Sequence, residues 1–161
     1  MTWCKPGELK AMQDTDLAYL AGIIDGEGCL GAHLINKARN PYGGNVSFKL
    51  AIDNCSICLI EKIQSYYEEM NLKYHMEIGR IRPNSTKQAH RIVIYSMYDI
   101  AKLLRAIYPY MISKKKEAEL MIGWIAKWKS AKNGNRYSFP KPSTIERYTI
   151  VQLLKEAKKC A

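Results

Sequence analysis

One stretch of the sequence, LAYLAGIIDGEGCL at residues 17–30, constrains the fold more strongly than any other part of the chain. Its apolar residues recur at positions i, i+3, i+4 and i+7, which is the spacing of a single helical face. The pattern predicts a helix over about 15–25. Asp14 or Thr15 can cap the start of this helix, because a short side-chain oxygen satisfies the free amides of the first turn.

The predicted end of this helix presents a carboxylate. Gly26 and Gly28 are expected to release the chain from helical geometry, and Glu27 stands between them. A second stripe on the same helix consists of the small residues Ala18, Gly22 and Gly26, along which another backbone can approach closely. The stretch therefore predicts a helix with an acid at its tip and a face suited to close packing.

The composition indicates the class of partner. The 161 residues include 25 Lys and Arg against 15 Asp and Glu, which gives a formal net charge of +10. Such an excess favours a polyanion, either nucleic acid or an anionic membrane surface. No apolar run approaches the ~20 residues that cross a bilayer, and no N-terminal segment resembles a signal peptide. We expect a nucleic-acid partner, no membrane and an intracellular location.

The cysteine pattern agrees with that location. Cys55 and Cys58 form a CxxC, but no second pair and no nearby histidine completes a zinc site. We expect reduced thiols in a reducing compartment. The five cysteines of the chain are Cys4, Cys29, Cys55, Cys58 and Cys160.

After residue 28 the sequence changes from a helical period to a period of two. The turn sequence RNPYGGN at 39–45 predicts a hairpin between two strands. In the return strand, Phe48 and Leu50 are expected to face inward, whereas Ser47 and Lys49 are expected on a polar, solvent-facing side.

A second pair of strands is expected over 74–82 and 88–96, with Met76 and Ile78 buried. The sequence thus predicts an α+β fold: a four-stranded antiparallel sheet in an αββαββα core, with helices packed on one face. Further helices are predicted at 54–71, 97–108, 114–129 and 143–158. We expect one domain over 1–161, with a leader at 1–13, the core at 14–110 and C-terminal helices at 113–161.

The segment LAGIIDGEG at residues 20–28 resembles the signature of the LAGLIDADG homing endonucleases, in the form whose last acid is Glu. The order of elements also resembles the core of that family. The chain has no second copy of the signature, so it is similar to the single-motif, homodimeric members. The resemblance implies a site-specific endonuclease that uses Mg²⁺ to cut double-stranded DNA at a long, partly palindromic target.

Other functions remain open from the sequence. The family also includes splicing maturases that bind intron RNA, and proteins of the same fold bind DNA without cutting it. A basic structural or ribosome-associated protein would need neither the small-residue stripe nor the acid at the helix tip.

Glu27 is the predicted metal ligand. Phosphodiester hydrolysis needs a charge-neutralising cation and an activated water, and Mg²⁺ prefers oxygen ligands. If two copies pack along Ala18, Gly22 and Gly26, the dimer brings two Glu27 carboxylates together, and such close like charges need cations between them. The resemblance adds the backbone carbonyl of Gly26 as a ligand. Asp25 is interpreted as structural.

Two further catalytic residues are implied by the resemblance. Asn54 matches the residue that positions solvent at the end of the second strand, with Asp53 as its rival. Lys114 matches the basic active-site residue by its distance after Pro109, although a solvated lysine cluster is the alternative there.

The polar side of the sheet is expected to read DNA, and basic residues near the C-terminus are expected to hold phosphates. The candidate base-reading residues are His33, Lys37, Asn45, Ser47, Lys49, Arg80, Arg82 and Arg91. The candidate phosphate-binding residues are Lys127, Lys129, Lys132, Arg136 and Lys141.

Overall fold

A computed structural model of the protein describes residues 12–35, 45–79, 87–129 and 143–159. The elements follow the order predicted from the sequence, and the α+β prediction is confirmed. They are α1 (Asp14–Glu27), β1 (Gly28–Ile35), β2 (Asn45–Asn54), α2 (Ile57–Glu69), β3 (His75–Ile78), β4 (His90–Ile94), α3 (Met97–Ile107), a 3-10 turn (Tyr108–Tyr110), α4 (Lys115–Lys129) and α5 (Thr144–Ala157).

The four strands form one antiparallel sheet in the order β1-β2-β4-β3, so β2 and β4 are central and β1 and β3 are edges. Gly28 lies opposite Ile52 at one end of the hairpin, and Ile35 lies opposite Asn45 at the other. Because α1 runs directly into β1, the tip of α1 lies at the end of the sheet where β2 also ends.

The inner face of the sheet, which carries Phe48, Leu50 and Ile52, forms the floor of the core. These three side chains are fully buried, together with Leu20 and Ile24 of α1. Burial of each such side chain is worth about 1.5–3 kcal/mol, so this contact fixes α1 on the sheet. The same core includes Ile60 and Ile63 of α2, Ile100, Leu103 and Leu104 of α3, and Val151 and Leu154 of α5.

Both ends of α1 differ from the sequence prediction. Gln13 occupies the N-cap position without a side-chain hydrogen bond, so the predicted cap by Asp14 or Thr15 is wrong. Asp14 lies inside the first turn, where its negative charge interacts favourably with the helix dipole. The helix also continues to Glu27, since Gly28 ends it in an extended conformation with φ −73°.

Gly28 is required by a close approach and not by a left-handed conformation. A Cβ atom at this position would lie 2.5 Å from the carbonyl oxygen of Ile24. Any larger residue would therefore push β1 away from the last turn of α1.

The third strand also differs from the prediction. β3 has four residues, all of them exposed, and the predicted burial of Met76 and Ile78 is wrong. Their exposed fractions are 44% and 78%. The physical reason is position: β3 is an edge strand, while α2 packs against the central strands β2 and β4. No helix among the described residues combines the length and apolar character required to cross a membrane.

Candidate active site and nucleic-acid interface

Asp25 ties the last turn of α1 to the segment that precedes α4. Its carboxylate accepts hydrogen bonds from the backbone amides of Ile112 at 2.6 Å, Ser113 at 3.3 Å and Lys114 at 3.0 Å. Hydrogen bonds to an ionised acceptor are about twice as strong as neutral ones. These contacts support the structural interpretation of Asp25.

Lys114 lies at the tip of α1 because of the same contact. Its Nζ donates to the backbone carbonyl of Asp25, and the Ser113 hydroxyl donates to that oxygen at 3.3 Å. The last turn of α1 contains no basic residue of its own. A cation is favoured at this position, since the carbonyls at a helix C-terminus carry a partial negative charge.

The neighbouring lysines behave differently from Lys114. Lys115 has its Nζ 4.9 Å from the centre of the Tyr108 ring, and Lys116 is exposed. Lys114 is half-buried and hydrogen-bonded, so its position is defined while that of a solvated lysine is not.

Glu27 contrasts with Asp25, two residues earlier. Its side chain is exposed, and within the described ranges no hydrogen bond or ion pair engages it. Gly26 beside it is also exposed, and no described residue outside the adjacent backbone of α1 and the two chain neighbours has an atom within 4 Å of where a Cβ would stand. The tip of α1 thus presents a free carboxylate and an uncovered backbone.

The donor set at this tip fits a divalent metal in part. A carboxylate and a backbone carbonyl are hard oxygen ligands of the type that Mg²⁺ takes, and Mg²⁺ commonly retains several waters. The described residues contain no group of three or more His, Cys, Asp or Glu that could hold a metal ion. An ion at Glu27 would therefore need further oxygen ligands, such as those of a second copy, a DNA phosphate or water.

The two rivals at the end of β2 have different partners. Asp53 receives two hydrogen bonds from Arg91, from Nε to Oδ1 at 2.5 Å and from Nη2 to Oδ2 at 3.1 Å. Asn54 accepts from the backbone amide of Ser56 through Oδ1 at 2.8 Å, so its side-chain NH₂ group is not used in that contact. Asn54 keeps donors that can bind a ligand, whereas Asp53 is committed to Arg91.

The outer face of the sheet carries Ser47, Lys49, Ala51 and Asp53 of β2 and the residues beside them on the other strands. At one end, Arg91 lies between Asp53 and Glu77, with Nη1 3.6 Å from the Glu77 carboxylate. The Asp53 hydrogen bond raises the pKa of Arg91 above its ordinary value. Arg91 is one of the residues predicted to read bases, but its guanidinium already contacts the carboxylates of Asp53 and Glu77.

At the other end of the outer face, His33 lies opposite Ser47 and Gly31 lies opposite Lys49. A Cβ at Gly31 would be 3.4 Å from both Cγ and Cε of Lys49, so the lysine stem passes over Gly31. Between the two ends, Ala51 and its neighbour Val93 are buried. The outer face therefore has an apolar centre between two polar ends.

The other candidates for DNA contact are only partly described. Asn45 begins β2 opposite Ile35. Lys127 of α4 donates to Glu146 of α5 at 2.8 Å, which links the two helices. Lys37, Arg80, Arg82, Lys132, Arg136, Lys141 and the side chain of Lys129 lie outside the described residues.

The predicted dimer stripe on α1 is exposed. Ala18, Gly22 and Gly26 are all on the surface, and within the described ranges no other part of the fold lies within 4 Å of a Cβ at either glycine. Of the cysteines, Cys29, Cys55 and Cys58 are described, and all three are free thiols.

The sequence did not identify two features near these sites. One is the backbone at 112–114, whose amides give no side-chain signal. The other is a pair of lysines, Lys155 on α5 and Lys158 directly after it, that line a cavity with Lys49. Their helix was identified, but its contact with β1 joins segments far apart in the chain.

The structure is similar to solved structures of LAGLIDADG homing endonucleases. The homing endonuclease I-CvuI, in complex with DNA in the presence of magnesium, is 14% identical with a TM-score of 0.55, over 88% of this chain and 95% of that chain. I-LtrWI, a LAGLIDADG homing endonuclease bound to target DNA, is 18% identical with a TM-score of 0.61. That match covers 96% of this chain and 47% of I-LtrWI, so this chain spans about half its length.

A third similar structure is I-CeuI, a group I intron-encoded homing endonuclease complexed with DNA, at 12% identity and a TM-score of 0.53. It matches over 86% of this chain and 77% of that chain. No protein-family model and no curated protein matches the sequence. The structural similarity shows that this protein has the fold of the LAGLIDADG homing endonucleases.

Proposed function

We propose that this protein is a divalent-metal-dependent, site-specific endonuclease that cuts double-stranded DNA as a homodimer. The observation that carries the proposal is the tip of α1, where Glu27 is exposed, has no partner in the described part of the chain, and lies near the hydrogen-bonded Lys114. This arrangement occurs in a fold whose solved examples include DNA-bound homing endonucleases. The net charge of +10 is also suited to a polyanionic substrate.

Glu27 and the carbonyl of Gly26 would hold Mg²⁺. When bound, the ion would act as a Lewis acid at the scissile phosphate and lower the pKa of a coordinated water. The I-CvuI complexes were obtained in the presence of magnesium or of calcium, which supports a divalent ion in proteins of this fold.

Asn54 and Lys114 would act on the reacting groups. The Asn54 NH₂ group can donate to the attacking water and orient it, since its oxygen is occupied by Ser56. The water would form a bond to phosphorus and lose a proton to solvent, while the bond to the leaving sugar oxygen breaks and that oxygen takes up a proton from solvent. The Lys114 ammonium would stabilise the negative charge that develops on the phosphate oxygens.

Dimerisation would use the exposed stripe on α1. Two copies that pack along Ala18, Gly22 and Gly26 would bring their two Glu27 side chains near a twofold axis, one for each DNA strand. The ten residues of β2 span about 33 Å, close to the ~34–36 Å of one duplex turn. Two subunits would cover about two turns, which favours a long and partly palindromic target.

The outer face of the sheet would read the target. Described residues that offer polar groups to base edges there are His33, Asn45, Ser47 and Lys49. Arg91 would contribute chiefly by ordering Asp53 and Glu77, because both of its partners are already present in the protein.

The test is cleavage of a randomised duplex library in Mg²⁺, with the cut ends sequenced and Glu27→Gln as the matched control. We expect the wild type to cut one family of related, partly palindromic sequences, and the variant to cut none. Specific binding without cutting would indicate a non-cleaving DNA-binding protein. Binding to intron RNA but not to duplex DNA would favour a maturase and contradict the proposal.

A further inference from the structure

A cavity of about 470 Å³ lies where α5 packs beside β1, at the border of the outer face. The sheet contributes Gly31, His33 and Lys49 to its lining, and the C-terminal end of α5 contributes Lys155 and the capping residue Lys158. Beneath these groups lie Val151 and Leu154, which belong to the hydrophobic core. The cavity therefore has an apolar base and a cationic rim.

The described residues supply no acidic counter-charge to the rim. Lys49, Lys155 and Lys158 take part in no ion pair within the described part of the chain, and no acid lines the cavity. The acids of α5 are directed elsewhere, since Glu146 pairs with Lys127 and Glu156 lines a separate groove on α5. Like charges that converge without an acid repel one another, and an anion in the cavity would remove that repulsion.

The end of α5 alone does not explain this arrangement. Lysines near a helix C-terminus are favoured by the helix dipole, and that reason applies equally to Lys158 and Lys159. It does not account for Lys49, which comes from β2 and crosses Gly31 to reach the same cavity. It also does not account for Lys158 Nζ lying 3.6 Å from the Cys29 thiol, on the sheet side of the cavity.

We propose that this cavity binds a backbone phosphate of duplex DNA through Lys155 and Lys158, so that α5 extends the DNA interface beyond the sheet. The inference rests on the proposed function, because it assumes that the outer face meets DNA. Lys49 connects the two regions, since it belongs both to the outer face and to the rim. A phosphate contact of this kind adds affinity and fixes the position of the duplex without reading sequence.

The test compares the double variant Lys155→Gln/Lys158→Gln with the single variant Lys159→Gln. Lys159 is the second residue after α5 and is exposed, but it is not among the residues that line the cavity. Binding to a duplex is measured over a range of salt concentrations, without Mg²⁺. Each phosphate contact contributes about 0.9 to the slope of log K against log salt, so the double variant should lose about that much per subunit while Lys159→Gln keeps the wild-type slope.

A second measurement identifies the individual phosphate. Duplexes that carry one neutral methylphosphonate at each position in turn should show a position at which neutralisation weakens the wild type but not the double variant. Equal sensitivity of both proteins at every position would overturn the inference. If inorganic pyrophosphate stabilises the wild type and not the double variant while both bind duplex DNA equally, the cavity is a free-anion site and the DNA assignment is wrong.

These outcomes separate the inference from the proposed function. If the double variant keeps the wild-type salt slope and the wild type cuts the library, only the phosphate site is overturned. If the double variant has a reduced slope and the wild type cuts no sequence, only the nuclease assignment is overturned. No binding of duplex DNA by the wild type would overturn both.

Discussion

The tip of α1 and the outer face of the sheet use similar side chains in different ways. At the tip, one acid is held by three backbone amides and the next acid has no partner among the described residues. On the outer face, charged groups are shared, as where Arg91 lies between Asp53 and Glu77. The tip therefore separates a structural group from a free one, whereas the sheet spreads its polar groups over many positions.

This difference indicates how each region would function. A reaction needs a few groups held in fixed positions, and Asp25 supplies that by joining α1 to the segment at 112–114. Sequence reading needs many weak contacts that can be exchanged one at a time. Substitutions at the tip should accordingly have large, all-or-none effects, and substitutions on the sheet should have small, position-specific ones.

The largest expected effect is that of Glu27→Gln. Loss of the carboxylate should lower single-turnover cleavage by roughly 10³-fold, because stabilisation by a bound metal ion is worth several kcal/mol. DNA affinity and the melting temperature should stay near the wild type, since Glu27 is exposed and unpartnered. Cleavage by Glu27→Gln close to the wild-type rate would contradict the proposed role of Glu27 in catalysis.

Gly22→Leu should abolish the proposed dimer without destabilising the subunit. A Cβ at Gly22 meets nothing within 4 Å, and leucine improves helix propensity by up to about 1 kcal/mol over glycine. Sedimentation should show a monomer with undiminished thermal stability and lost cleavage, while Gly22→Ala should keep more of the association. A dimeric Gly22→Leu protein would show that the stripe is not the interface.

Asp25→Asn should affect stability first and cleavage second. Its charged acceptor serves three amides, and hydrogen bonds to charged groups are worth about 1.5–3 kcal/mol each. The free energy of unfolding should fall by at least the worth of one such hydrogen bond, about 1.5–3 kcal/mol, as measured by urea titration. Glu27→Gln serves as the control with the same chemical change two residues later. Equal stabilities of the two variants would contradict the structural role of Asp25.

The smallest expected effect is that of Lys49→Ala on the outer face. Preference should relax at one position in each half-site, at a cost of roughly 1–3 kcal/mol for that base pair. Profiling cleavage of single-base variants of the target measures this directly. A uniform loss over all variants would mean that Lys49 contacts phosphate and that the sheet reads less than we propose.

Local patterns account for what the sequence predicted correctly. The periodicity of α1 and the alternation of β2 are properties of neighbouring residues, and both elements formed as expected. The burial of Met76 and Ile78 was predicted wrongly, because alternation gives the face of a residue but not whether its strand is covered. The cap of α1 was predicted wrongly, because Asp14 and Thr15 have the short polar side chains typical of a cap, whereas the helix already begins at Asp14 and Gln13 takes the cap position.

The candidate site could be predicted from the sequence only to the extent that it lies in one segment. The signature indicated Glu27, whose role as a metal ligand stays a prediction, and suggested a structural role for Asp25. It did not indicate the partners of Asp25, which are backbone amides 87 to 89 residues away. The pairing of Asp53 with Arg91 likewise depends on the register between β2 and β4, which no local pattern specifies.

Metal binding at the tip of α1 tests the central claim most directly. Mn²⁺, which can replace Mg²⁺ at oxygen sites, can be titrated into the DNA complex and followed by electron paramagnetic resonance. We expect wild-type protein to bind Mn²⁺ with saturation, Glu27→Gln to lose that binding, and Glu61→Gln, which alters an exposed acid on α2, to retain it. Equal binding by the wild type and Glu27→Gln would contradict the assignment of Glu27 as the metal ligand.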